Sequence, residues 1–143
     1  MNVPVAKPWI HTTAAGVVAA AEKLKQENPR DLFLLLVRAA ASGEWDTFIA
    51  AFEKVSRVKG IKLLLPAPDG FPMRYAYESA GLPVDHWPVF IGALEIAHAI
   101  GQEAGENLKS GKRLRDLVLE RTFALPSVRG LPHAHELAQN LAV

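Results

Sequence analysis

Two tryptophan-led segments limit this chain's choice of fold more than any other feature. Residues 43–55 read GEWDTFIAAFEKV, and residues 85–97 read DHWPVFIGALEIA. In the first, Trp45, Phe48, Ile49, Phe52 and Val55 recur at helical spacings. Trp87, Phe90, Ile91, Leu94 and His98 do the same in and just beyond the second. A period of 3.6 gathers each set on one stripe of a helix, whereas a strand would scatter it over both faces. Superposing Trp45 on Trp87 offsets the copies by 42 residues and pairs Phe48 with Phe90, Ile49 with Ile91, Ala51 with Ala93 and Glu53 with Glu95. The echo is either a duplicated αα-hairpin, with a period near that of helical-pair repeats, or two core helices that meet the same packing demand. In both cases the tryptophans are expected to clamp each helix start onto its neighbour as core anchors.

The rest of the chain extends the helical pattern. Thr12 or Thr13 can cap a helix over AAGVVAAAEKLKQ, which stops near Asn28 because the residue before Pro29 disfavours the helical region. Pro29 then opens a helix, DLFLLLVRAAA, so apolar around its circumference that it belongs at the centre of the core. Residues 61–65, IKLLL, are expected to be an extended loop or a short strand, and the Pro/Gly-rich residues 66–72 are the clearest internal junction. A short helix fits PMRYAYESA. Asp85 can cap the second echo helix, with Pro88 in its first turn. Another helix follows over SGKRLRDLVLERTFAL, then a break at LPSVRGLP, then a short helix over HAHELAQNLAV.

The segment around SGEWDTFIAAFEKV, within residues 32–60, resembles a tetratricopeptide unit, with a Gly-acidic-aromatic-Asp turn leading into an Ile-x-x-aromatic helix. The resemblance covers about a fifth of the chain, and Leu36 and Phe48 stand where that family has small residues. The fold class is all-α: one domain over residues 1–143 of roughly six or seven helices in antiparallel αα-hairpins. Residues 29–60 and 72–108 are candidate related hairpins, with C-terminal helices over 109–143. The two hairpins would form a degenerate two-unit repeat.

Composition narrows function mainly by exclusion. Half of the 143 residues are hydrophobic, enough for a core, and the net charge of +1 gives no overall attraction to nucleic acid or membrane. No cysteine is present, which removes disulfides, thiolate metal sites and cysteine nucleophiles. The longest apolar run, LFLLLV, falls far short of the ~20 residues that span a bilayer. A cytoplasmic, uncleaved chain is expected. Charge is uneven: residues 74–108 carry one base against five acids, and residues 109–129 carry six bases against two. The acidic helix and the basic one are natural partners within the fold.

Few residues invite chemistry. Glu95 and His98 form a Glu-x-x-His pair, the spacing used by di-iron bundles, but such a site needs two pairs. A two-fold dimer could supply the second; otherwise His98 is a core histidine. His133 and His135 diverge on a helix and do not match a zinc-protease pattern. GENLKSGKR fails as a phosphate loop, because five residues separate its glycines and Arg113 stands where Ser or Thr must reach magnesium. Lys109, Lys112, Arg113 and Arg115 could bind phosphates, as could Lys54, Arg57, Lys59 and Lys62, but neither tract interleaves aromatics as single-strand binders do. Phe71, Tyr75, Tyr77, Trp87 and Phe90 gather around Pro/Gly turns, with Tyr75 and Tyr77 the expected exposed edge.

No catalytic set and no cofactor signature emerges. The sequence therefore points to an α-helical interaction or adaptor module for a protein partner, with homodimerisation as a further expectation. One alternative is an oligomeric metal-binding bundle around Glu95 and His98. Another is a binder of nucleic acid or acidic partners through Lys109, Lys112, Arg113 and Arg115, although nucleic acid is not the favoured partner.

Overall fold

The computed structural model describes residues 13–104 and 111–142, with the side chains of 102–104 and 111–113 excepted. Over these the chain is helical, with no strand among the described residues. The helices are α1 (Ala14–Glu27), α2 (Pro29–Ala41), α3 (Trp45–Ser56), α4 (Ile61–Leu64), α5 (Phe71–Ser79), α6 (Trp87–Ala104), α7 (Gly111–Thr122), α8 (Pro126–Arg129) and α9 (Ala134–Ala142). The count exceeds six or seven because α4 and α8 are single turns. Residues 61–65 are therefore not extended: Gly60, with φ 79°, turns the chain, and α4 follows. The expected break at 125–132 likewise contains α8, with Pro126 at its start.

Local signals set the long helices. Thr13 caps α1 by accepting a hydrogen bond from the Gly16 N–H at 3.0 Å. Asn28 ends α1 and caps α2, its Oδ1 accepting from the Asp31 N–H at 3.2 Å, and Pro29 fills the first helical position. Trp45 and Trp87 each occupy the first position of their helix, so the echoed segments share a helical register. Asp85 lies inside a 3-10 turn, Val84–His86, that leads directly into α6.

Helix α2 is the axis of the molecule. All ten residues Leu32 to Ala41 are buried, and α1, α3, α6, α7 and α9 pack around them. Gly43, with φ 76°, turns the chain from α2 into α3; a Cβ there would meet Leu114 Cδ2 of α7 at 2.7 Å. Phe33, Phe48, Phe52, Tyr77 and Phe90 form a buried aromatic cluster beside α2. Helix α5 packs on α3 and α4, and its Tyr77 reaches Trp87 and Phe90.

The tryptophans clamp as expected but are only partly buried. Trp45 sets its ring edge-on to Phe48 and to His98 of α6. Trp87 meets Tyr77 edge-on, stacks on Phe90, and carries the Arg74 guanidinium 4.9 Å from its ring centroid.

Helix α9 is tied to α2 at both ends. Arg30 in the first turn of α2 pairs with Glu136 in the first turn of α9. Near the other end, Arg38 donates to the Leu141 carbonyl. The two helices therefore run in the same direction.

Candidate functional site

Four large apolar side chains stay in solvent: Leu63 at 83% exposure, Phe71 at 80%, Val84 at 64% and Tyr75 at 58%. All fall between residues 63 and 84, while large apolar residues elsewhere among the described positions are at least partly covered. Their placement follows from local structure. Helix α5 buries Met73, Ala76 and Tyr77, so its opposite stripe, with Phe71 and Tyr75 four residues apart, must face outward. Leu63 comes from α4, which packs on α5. Val84 opens the 3-10 turn, and that turn is held to α5 by the Tyr77 hydroxyl, which donates to the Pro83 carbonyl.

Tyr77 is consequently not part of an exposed edge. It is 1% exposed, and burial pushes its phenol well above the usual range. The expected pair of surface tyrosines reduces to Tyr75, because positions 75 and 77 point to different sides of one helix. What accompanies Tyr75 instead is Phe71. Arg74 and Glu78, an i,i+4 ion pair at 3.2 Å, flank this stripe.

The other sequence candidates are dispersed. Glu95 is exposed on α6, and its carboxyl is raised above the usual range by partial burial and by the Asp69 charge. His98, half-buried, rests against the Trp45 ring. No group of three metal-ligating side chains occurs among the described residues. Lys109 lies outside the described residues; Lys112 and Arg113 fall in the first turn of α7, where side chains are not described. Arg115 is half-buried, its Nε enclosed without a hydrogen-bond partner among the described residues. Helices α6 and α7, the acidic and basic segments, pack on one another. His133 and His135 are exposed at the start of α9. No described helix is long and apolar enough to cross a membrane.

One charged group went unremarked in the sequence. Arg38, 7% exposed inside the α2 apolar run, is brought down to about 10 by burial first and by Arg115 next, with Asp116 opposing. It still carries its proton at neutral pH. The only sequence signal was a cation interrupting an otherwise continuous apolar helix.

Comparison with protein-family models, curated proteins and solved structures finds no match.

Proposed function

We propose that this protein is a cytoplasmic interaction or adaptor module whose α4–α5 face docks a protein partner. The observation that carries the proposal is the exposure of Leu63, Phe71, Tyr75 and Val84 within one short stretch, around a rigid core that has no use for them. Apolar side chains left exposed within so short a stretch, two of them aromatic and four residues apart on α5, with charges alongside, have the composition of a binding interface. Phe71 and Tyr75 are the expected anchors, since aromatic side chains dominate the energetics of such contacts. Arg74 and Glu78 supply polar contacts at the rim.

The test compares quantitative capture from the native host by the wild-type chain and by Phe71→Glu/Tyr75→Glu. Circular dichroism and thermal melts verify that the variant keeps its fold, as outward-facing positions should. A partner retained by the wild type and lost by the variant supports docking at this face. Identical capture by both chains, or light scattering that shows neither partner binding nor self-association, overturns it.

A further inference from the structure

We propose that the cleft between α1 and the end of α3 binds a compact phosphate-bearing anion through Lys54, Arg57 and Lys59. The cleft has a volume of about 470 Å³ and is lined by Glu22, Ala50, Glu53, Lys54, Arg57 and Lys59. Ala50 is the one apolar residue in the lining, so the space suits a small, charged molecule better than a large apolar group.

The lining carries three cations against two carboxylates, so cations are in excess by one. Glu53 Oε2 accepts hydrogen bonds from the Gly60 N–H at 2.8 Å and the Ile61 N–H at 3.1 Å, so its charge holds the turn into α4. That leaves Glu22 as the one other acid in the lining. Lys54, Arg57 and Lys59 make no ion pair among the described residues. The end of α3 carries partial negative charge that works against an anion; Lys25, donating to the Val55 carbonyl, offsets part of it and leaves the lining cations to the cleft.

The backbone supplies an independent observation. Arg57 ends α3 in the left-handed region, with φ 61° and ψ 22°. Every other described residue with positive φ is a glycine: Gly43, Gly60 and Gly81. Glycine is the usual residue at this cap and carries no steric penalty there. An arginine held in that conformation sacrifices local stability, and its side chain is part of the cleft lining. Strain of this kind gathers at functional positions, and a guanidinium offers paired donors suited to phosphate oxygens.

Because strain and function oppose each other at Arg57, one substitution separates them. Inorganic pyrophosphate is titrated calorimetrically into the wild-type chain, Arg57→Gly, Lys59→Gln and, as a control cation outside the cleft, Arg129→Gln. Arg57→Gly should raise the melting temperature and weaken pyrophosphate binding by about tenfold or more. Lys59→Gln should weaken it as well, and Arg129→Gln should leave it unchanged. Equal losses for Arg129→Gln, unaltered affinity for Arg57→Gly, or no pyrophosphate binding at millimolar concentration would each overturn the proposal. A lowered melting temperature for Arg57→Gly would do so too, since the arginine would then serve the fold.

Discussion

Phe48 and Phe90, which hold the same position in the two tryptophan-led helices, meet in the core with ring centroids 6.0 Å apart. Phe90 also contacts Phe33, Phe52, Tyr77 and Trp87. It is therefore the hub through which α2, α3, α5 and α6 share one aromatic cluster. Phe90→Ala should cost about 4 kcal/mol, within the range of about 3–5 for buried aromatics, and more than Phe48→Ala. Urea melts of both variants provide the comparison. A smaller loss at position 90 would show that the cluster collapses readily around the gap.

The two tryptophans should prove less costly to remove than core residues of their size. Both are only partly buried, so Trp45→Ala and Trp87→Ala are each expected to lose about 2–3 kcal/mol, below the 3–5 typical of full burial. Trp87 should be the more sensitive, because it carries Tyr77, Phe90 and Arg74 while Trp45 carries Phe48 and His98. Chemical denaturation of both single variants and the double variant tests the order.

Two glycines answer differently to the same substitution. At Gly43 a Cβ would lie 2.7 Å from the buried Leu114, on a backbone with φ 76°. Gly43→Ala should cost about 2 kcal/mol from overpacking and left-handed strain together. At Gly92, within α6, the nearest atom is Leu125 Cδ1 at 2.9 Å, the tip of a half-exposed side chain that can move. The helix gains about 1 kcal/mol on replacing glycine by alanine, so Gly92→Ala should fall within about 1 kcal/mol of the wild type. Thermal melts that reversed this order would count against the packing described.

Acid should lower the stability of the fold in two stages. Burial, chiefly, and then Arg30 hold His86 below its ordinary 6.5, so it stays neutral in the fold. As pH falls below 6.5 the unfolded chain takes up this proton first, and stability declines. The hydrogen bond from Arg30 holds the Glu136 carboxyl below its ordinary 4.5. Its contribution is present above 4.5 and disappears as pH falls through the folded value. Melting temperature should therefore begin to drop as pH falls below 6.5 and drop further below 4.5. His86→Phe should flatten the first decline, and Glu136→Gln the second.

Elements with a strong period were legible in the sequence. The apolar circumference of α2, the stripes of α3 and α6, and the Thr13 and Pro29 start signals all appear where local pattern puts them. Residues 61–65 form a helical turn where an extended segment is expected, because four or five residues are too few to separate a helical turn from a strand by periodicity. Tyr77 was misplaced for a different reason: aromatic clustering in sequence says nothing of side, and only the packing of α5 on α3 decides which tyrosine turns inward. The partners of Arg38 were beyond reach, since Leu141 lies more than a hundred positions away. In sequence Arg57 is one cation in a basic run; its left-handed backbone leaves no mark in composition.

The echo shows how far one stripe can be reused. Ala50 and Gly92 are equivalent in register, yet Ala50 is exposed in the α1–α3 cleft while Gly92 is covered by Thr122 and Leu125. Glu53 caps the turn into α4, and Glu95 faces solvent. A shared apolar pattern fixed the buried side of both helices and left their other sides to diverge.

The two arginine ties between α2 and α9 also set an order of events during translation. Arg30 and Arg38 leave the ribosome more than a hundred residues before Glu136 and Leu141. At about 5–20 residues per second, this most completely buried helix waits about 5–20 seconds for the segment that seals it. During that interval a nascent chain presents α2 incompletely covered, with a cation on its otherwise apolar surface. That charge would oppose the stacking of such segments on neighbouring nascent chains, so Arg38 would guard solubility before it serves packing.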